Sequence, residues 1–201
     1  MSTDRPTITK AAQSEATRAK LLAVARELFG ARGFADVGTE EIVRQAGVTR
    51  GALYHQFADK RALFTAVFEQ LEEEIIVASA GRMADHPDDL LAAFAAACRG
   101  WLEVCLEPEM ERIVLLDGPA VLGWEAWREI GERYGLGAVM ASLEAGMNSG
   151  ALARQPVRPL AHIIVGALDE AALYVTRAED RKAALAEAEA VIDRLIAGLA
   201  A

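Results

Sequence analysis

The side chains best suited to chemistry in this sequence lie between positions 39 and 57, TEEIVRQAGVTRGALYHQF. In a helix that starts after Thr49, Leu53 and Phe57 are four residues apart and share one face. The opposite face then carries Arg50, Gly51, Tyr54 and His55. An arginine at a helix N-terminus can reach phosphate oxygens or base edges, a tyrosine can donate to phosphate, and a glycine allows close backbone approach. This face therefore predicts contact with a phosphate-rich partner.

A helix-turn-helix is the element that must position this face. Thr39 is placed to cap a helix that Gly47 ends, and only Val48 separates Gly47 from Thr49, the N-cap candidate of the next helix. Apolar residues at helical spacing predict a first helix from about Ser14 to Arg32. A longer helix, capped by Asp59, follows over about 59–78.

The rest of the chain also has helical periodicity, with no alternating strand pattern, so the predicted fold class is all-α. Further helices are expected over about 90–105, 110–116, 120–148, 160–178 and 180–199. The predicted organisation is a loose arm over 1–13, a helix-turn-helix domain over 14–61 and a larger helical domain over 62–201. The helix over 59–78 connects the two domains.

The net charge of −9 divides unevenly between these parts. Residues 1–61 hold ten basic and seven acidic side chains, or +3, whereas residues 62–201 hold eleven basic and twenty-three acidic ones, or −12. The basic N-terminal part, residues 1–61, is compatible with a polyanionic partner, whereas the acidic part, residues 62–201, is expected to be repelled by such a partner. No apolar run long enough to span a membrane is evident and the first ten residues are polar, so a cytoplasmic protein without membrane contact is predicted.

Catalytic and metal-binding patterns are missing from the sequence. His55, His86 and His162 are far apart and lack zinc-like partner spacing, so no metal site and no cofactor are predicted. His162 and Asp169 share one helix face, and the preferred interpretation is a buried hydrogen-bonded pair. Cys98 and Cys105 would be about 10 Å apart on one helix, too far for a disulfide. With no nucleophile or dinucleotide motif either, the protein is predicted not to be an enzyme.

From Ala16 to Leu71 the chain resembles the N-terminal domain of the TetR family of bacterial transcriptional regulators. The matching residues are Gly33-Phe34, Thr39, Ile42, Ala46-Gly47-Val48-Thr49, Gly51, Leu53-Tyr54, Phe57, Lys60 and Leu63. Two positions depart from the pattern: Val43 stands where the family usually has Ala, and Gln56 where it usually has His. The chain length and the all-helical remainder are similar to the family as well.

The resemblance implies roles for individual residues. Thr39, Tyr54 and Lys60 are expected to contact the DNA backbone, and Arg50, Gly51 and His55 to enter the groove. Arg44 and Thr49 complete the set of candidate DNA-binding residues.

The last two helices are the candidate dimer surface, because a helix-turn-helix protein normally reads two half-sites as a dimer. The candidate residues are Ile164, Ala167, Leu168, Ala171, Val191, Ile192 and Leu195. Two such helix pairs would form a four-helix bundle between subunits, as the resemblance implies. The alternative is that both helices only complete the core of the monomer.

An effector pocket in the larger domain is likewise implied by the resemblance. Aromatic, Met and Cys side chains of the central helices are the candidates: Phe94, Trp101, Cys105, Met110, Trp124, Trp127 and Met140. Their apolar character favours a small hydrophobic or aromatic effector, although such a cluster is also typical of plain core.

Together these features predict a repressor that binds a palindromic double-stranded DNA operator as a homodimer and is released by a small molecule. The alternatives are an activator or ligand-independent regulator of the same fold, or an all-helical ligand-binding bundle that does not bind DNA.

Overall fold

A computed structural model describes residues 10–201 and divides the chain into two units, Met1–Val67 and Phe68–Ala201. The first contains helices α1 (Lys10–Arg32), α2 (Thr39–Ala46), α3 (Arg50–Gln56) and the start of α4 (Lys60–Gly81). Its core is built around three phenylalanines, Phe29, Phe34 and Phe64, whose ring centroids lie 5.2 to 5.7 Å apart. Leu21, Ile42 and Leu53 are fully buried, so each of the first three helices contributes one face to this core.

Two helix starts differ from the sequence prediction. Helix α1 begins at Lys10, so residues 10–13 of the expected loose arm are helical, and the rest of that arm, residues 1–9, lies outside the described residues. The stretch Lys10 to Gln13 consists of good helix formers, and the Thr17 hydroxyl donates to the Gln13 carbonyl at 2.9 Å. Helix α2 is preceded by Gly38 as N-cap rather than by Thr39, since the Gly38 carbonyl accepts from the Glu41 and Ile42 amides.

The turn between α2 and α3 has the tight geometry expected from the sequence. Gly47 adopts the left-handed conformation at φ +64°, which a residue with a side chain adopts only at a cost. Two residues later the Thr49 hydroxyl accepts from the Ala52 amide at 3.1 Å and caps α3. This turn fixes the direction in which α3 leaves α2.

The second unit contains the remainder of α4 and six further helices in the described chain. These are α5 (Leu90–Cys105), α6 (Pro108–Met110), α7 (Gly118–Leu122), α8 (Trp124–Ser149), α9 (Val157–Arg177) and α10 (Arg181–Ala197). A 3₁₀ turn follows α4 at Arg82–Asp85, and a π-helical segment, Glu111–Asp117, joins α6 to α7. Over residues 10–201 the only strand-like pairing is a single bridge between Leu152 and Ala200, so the all-α prediction is confirmed.

The long helix predicted over 120–148 is interrupted near its start. Gly123, at φ +80°, separates α7 from α8, whereas Gly131, Gly135 and Gly137 lie inside an unbroken α8. At Gly118 the missing side chain allows a close approach, because a Cβ there would lie 2.9 Å from both Phe68 Cε2 and Trp127 Cδ1.

Helix α9 is long and apolar enough, by length and composition alone, to cross a membrane, whereas the sequence analysis found no such apolar run. The core helix of a soluble protein passes the same test, so this is weak grounds for a membrane span. Helix α9 packs against α5, α8 and α10, yet only 28% of its most apolar stretch is buried. Part of its apolar surface is therefore exposed in the single chain.

Candidate functional site

Helix α3 presents the face that the sequence analysis assigned to it. Leu53 and Phe57 are buried, whereas Arg50, Gly51, Tyr54 and His55 are exposed. Thr49 is exposed as well, although its hydroxyl is already engaged as the N-cap of α3. The buried leucine and phenylalanine thus anchor the helix while its opposite side remains open to a partner.

The Arg50 side chain makes only exposed contacts within the chain. Its guanidinium lies 5.5 Å from the centre of the Tyr54 ring and 3.6 Å from Glu40 Oε1. The Arg50 and Glu40 side chains are both well exposed, so this ion pair is worth at most about 1 kcal/mol and can open for a better anion. Tyr54 and Arg50 therefore form one exposed group at the start of α3.

Lys60 has a different environment from the one its predicted role requires. Its Nζ donates to the carbonyls of Phe34 and Val37 at 2.7 and 2.8 Å and lies 3.9 Å from the centre of the Phe34 ring. Partial burial lowers the pKa of Lys60, and the charge of Asp36 opposes this change. Since an ammonium has three donors, two are used within the chain and one is left for a phosphate.

The other predicted contacts in this unit are more varied. Thr39 is half-buried as the first residue of α2, and Arg44 is exposed, 3.8 Å from Glu41 Oε1. Glu41 also accepts a hydrogen bond from Arg32, which lowers the pKa of the Glu41 carboxyl. Gln56 donates to the Ser14 hydroxyl at 2.7 Å, so this side chain ties α3 to α1.

A cavity of about 30 Å³ lies in the second unit, among α4, α5, α8, α9 and the π-helical segment. A second cavity of about 70 Å³ adjoins it, and both are lined by Ile76, Trp101 and Gly135. Of the seven predicted ligand-binding residues, Trp101 lines both cavities, Trp127 lines the first and Phe94 lines the second.

The four other predicted ligand-binding residues line neither cavity. Cys105 and Met110 are buried in the core, and Met140 is only partly buried. Trp124 is 55% exposed and stacks against Trp127 with ring centroids 4.9 Å apart. Side-chain type alone did not separate core residues from lining residues here.

Polar residues outside the predicted ligand-binding set line the first cavity: Glu72, Arg128, Glu132 and Asp169. Arg128 donates to Asp169 at 3.4 Å and to Glu132 at 3.2 Å. Burial raises the pKa of Asp169 to about 6, against the opposing effect of Arg128. Burial, followed by the charge of Asp169, raises the pKa of Glu72 to about 8. The available signal for Glu72 was its position on the apolar stripe of α4, between Phe68 and Ile75.

His162 pairs with a different residue from the one expected. Its Nδ1 lies 3.4 Å from Glu132 Oε1, whereas the carboxylate of Asp169 accepts from Arg128. The expected His162–Asp169 pair is therefore wrong, because the long side chain of Arg128 on α8 reaches the Asp169 carboxylate. Within residues 10–201, no group of three or more His, Cys, Asp or Glu side chains could hold a metal ion.

An apolar groove of about 480 Å³ lies between α9 and α10. Its lining includes five of the seven predicted dimer residues, Ala167, Ala171, Val191, Ile192 and Leu195. Ile164 and Leu168 are buried in the single chain instead. The exposed stripe of α9 carries Ile163 and Tyr174, which the sequence analysis did not select. Of the four residues predicted on α9, two thus line the groove and two belong to the core of the single chain, and the dimer face itself stays a prediction.

The exposed face of α3, held by a tight turn on a small helical core, defines a helix-turn-helix protein with a separate helical unit. Family comparisons agree with this description. A family model described as "Bacterial regulatory proteins, tetR family" matches residues 21–67, and one described as "Tetracyclin repressor-like, C-terminal domain" matches residues 91–199. The chain belongs to the TetR family of bacterial transcriptional regulators.

Individual relatives extend this comparison. A crystal structure of a TetR-family transcriptional regulator from Pectobacterium atrosepticum is 38% identical, covers 96% of this chain and 97% of its own, and superposes with a TM-score of 0.83. The HTH-type transcriptional regulator AcrR of Shigella flexneri is 33% identical over 103 residues, which is 51% of this chain and 48% of that regulator. The match thus spans about half the length of that curated relative.

A further solved structure is that of RolR in complex with the ligand resorcinol. It is 24% identical, covers 92% of this chain and 90% of its own, and has a TM-score of 0.73. At this identity the likeness concerns the fold. The relatives are transcriptional regulators, not enzymes.

Proposed function

We propose that this protein is a dimeric repressor that binds an operator through α3 of each protomer and leaves it when a small molecule binds in the second unit. The observation that carries the proposal is the exposed Arg50 and Tyr54 face on a buried Leu53 anchor, in a chain of the TetR family. Its place of action is the cytoplasm, where the DNA lies.

DNA recognition would use α3 in the major groove. Arg50, Gly51 and His55 face the bases in this arrangement, and Tyr54 donates to a phosphate oxygen. The weak ion pair between Arg50 and Glu40 opens on binding, because phosphate or a guanine edge offers Arg50 a stronger partner. Arg44 and the remaining Lys60 donor are further contacts to the backbone, and Thr39 and Thr49 flank the surface at the starts of α2 and α3.

The groove between α9 and α10 supports the dimer. Val191 and Leu195 are 54% and 56% exposed, and such a contiguous apolar surface is unusual on a monomer unless it binds something. Packing this groove on its copy would form a four-helix bundle and bring two α3 helices to half-sites about one DNA turn, ~34 Å, apart. The small side chains of Ala167 and Ala171 in the groove allow the helices of the second copy to approach closely.

DNA binding is tested by fluorescence anisotropy with labelled fragments of the DNA flanking the protein's own gene, at several salt concentrations. Arg50→Ala/Tyr54→Ala should abolish specific binding and leave the dimer intact. Arg154→Ala, which removes the same charge from an exposed position in the second unit, is the matched control and should bind like the parent protein. Unchanged affinity of the double variant would refute the assignment of α3.

The dimer is tested by sedimentation. Val191→Glu places a charge in the α9 and α10 groove and should give monomers at concentrations where the parent protein is dimeric. Val77→Glu is the same change at a comparably exposed valine of α4, 67% exposed, and should leave the dimer unchanged. A dimer that tolerates Val191→Glu but not Val77→Glu would place the interface elsewhere.

Release by an effector is supported by the cavities around Trp101 and by the likeness of residues 91–199 to the tetracyclin repressor-like C-terminal domain. A ligand that prefers the conformation with badly spaced α3 helices lowers operator affinity by its differential affinity for the two conformations. The fold neighbour RolR, solved with resorcinol, is a precedent for a small aromatic ligand in this architecture.

A further inference from the structure

Glu72 is a buried carboxyl that the proposed function leaves unexplained. It is only 6% exposed, and within residues 10–201 its carboxyl reaches the cavity without a hydrogen bond to another side chain or to the backbone. Its side chain lines the first cavity, with Oε1 about 4.0 Å from the position where a Cβ of Gly131 would be. A carboxyl buried without a partner is costly, so its presence beside a cavity indicates a ligand that supplies the missing partner.

Acceptors outnumber donors around this cavity. Its lining includes three carboxyl groups, those of Glu72, Glu132 and Asp169, but one guanidinium, that of Arg128. Arg128 already donates to Glu132 and Asp169. The indole of Trp127 is also occupied, because its Nε1 donates to the Val114 carbonyl at 2.9 Å. Once Glu72 is ionised, a group that completes this site brings hydrogen-bond donors and positive charge.

Aromatic rings form the other part of the site. Trp101 and Trp127 line the cavity, and a cation near an indole face gains a cation–π interaction, which is strongest for tryptophan. The adjoining cavity, reached past Trp101, is lined almost entirely by apolar side chains such as Phe94 and Leu168. A polar end at Glu72 and an apolar end towards Phe94 match a molecule with an ammonium group and one aromatic ring.

We propose that the effector site accepts a small aromatic ammonium ion, with the ammonium donating to Glu72 and the ring directed past Trp101 towards Phe94. The regulatory consequence rests on the proposed repressor function, whereas binding itself does not. The two cavities of about 30 and 70 Å³ are each too small for a ring, so the side chains that line both of them, Ile76 and Trp101, would have to move to join them.

Proton release should accompany binding. Because burial raises the pKa of Glu72 to about 8, the carboxyl is mostly protonated at pH 7 and must lose its proton to pair with a cation. The ionisable groups around it are Asp169 of α9, Arg128, Glu132 and Tyr134 of α8, and Cys105 of α5. Burial keeps Cys105 neutral, and Asp169 is paired with Arg128. Affinity for an ammonium should therefore rise from pH 6 to 8, by up to about tenfold per pH unit.

The test is titration calorimetry on the full-length protein with three probes of one shape: benzylamine hydrochloride, benzyl alcohol and sodium benzoate. Benzylammonium should bind at least tenfold more tightly than the other two. At pH 7, titrations in two buffers of different ionisation enthalpy should show release of about one proton per ligand. Equal binding of benzyl alcohol, or absence of proton release, would overturn the cation proposal.

Glu72→Gln keeps the shape of the side chain and should weaken benzylammonium binding roughly tenfold or more and abolish proton release. Glu73→Gln makes the same substitution at the next, exposed position of α4 and should change neither. Unchanged binding to Glu72→Gln would also overturn the proposal. The operator-binding assay tests the repressor function separately from the ligand site. A protein that binds the operator but not benzylammonium refutes only the ligand proposal. A protein that binds benzylammonium but not the operator refutes only the repressor function.

Discussion

Substitution of Glu72 should change how the stability of the second unit depends on pH. The pKa of this carboxyl is about 8 in the folded chain and about 4.5 in an ordinary glutamate. Between these values the folded protein holds a proton that the unfolded chain has lost, so the free energy of unfolding falls as pH rises and levels off above about pH 8. The slope is about 1.36 kcal/mol per pH unit at pH 6 and half of that at pH 8, where the carboxyl is half ionised, which gives a loss of about 2 kcal/mol from pH 6 to 8.

Urea denaturation at pH 6 and pH 8, at one protein concentration, measures this loss. Tryptophan fluorescence reports on the second unit alone, because all three tryptophans, Trp101, Trp124 and Trp127, lie there. Asp169, with a pKa of about 6, is half ionised at pH 6 and adds a smaller loss in the same direction, which the Glu72→Gln variant should keep. Glu72→Gln should lose most of the pH dependence, and Glu73→Gln should retain it. A parent protein whose stability is equal at both pH values, or a Glu72→Gln variant with the parent's slope, would refute the reasoning.

Three further substitutions test features of the fold. Lys60→Met removes the hydrogen bonds to Phe34 and Val37 and should lower the free energy of unfolding by about 1–3 kcal/mol, measured in thermal melts followed by circular dichroism. Lys20→Met, at an exposed site, should leave the melt unchanged, and equal melts of the two variants would contradict the role of the Lys60 hydrogen bonds. Gly47→Ala forces a side chain to φ +64°, so it should lower the free energy of unfolding by about 1 kcal/mol and weaken operator binding. Gly38→Ala, in open space at φ −93°, is the control, and equal stability and operator binding of the two variants would contradict the role of Gly47. Gly118→Ala places a Cβ against Phe68 and Trp127 and should lower stability by roughly 1–3 kcal/mol in urea; an unchanged midpoint would show that the rings can yield.

The helix-turn-helix was predictable because its signals are local. Gly47, Thr49 and the four-residue spacing of Leu53 and Phe57 act within one turn of helix, and the structure has the same turn, cap and exposed face. Contact with DNA at Arg50, Tyr54 and the other candidates stays a prediction. The role of Lys60 is less local, since its partners, Phe34 and Val37, are 26 and 23 residues away.

The second unit was less predictable because its features depend on packing between helices. Glu72 is surrounded by groups from α5, α8 and α9, and nothing in the EEE stretch around it distinguishes a buried carboxyl from exposed ones. The residues predicted on α9 divide between the core and the groove because the helix is apolar on two sides. One side, with Ile164 and Leu168, completes the core, and the other, with Ile163 and Tyr174, is exposed. Composition cannot rank two apolar faces of one helix.

The π-helical segment Glu111–Asp117 has a consequence for how the cavity wall can change. It carries Val114 and Leu115, which line the cavity, and the Val114 carbonyl that Trp127 binds. A π-helical turn contains about one residue more than an α-helical turn, so a return of this segment to α-helix would shift its residues by about one position. Such a step would turn both side chains by about 100° and detach the indole of Trp127. The same extra residue also makes the segment a place where a one-residue deletion could be absorbed without displacing α8.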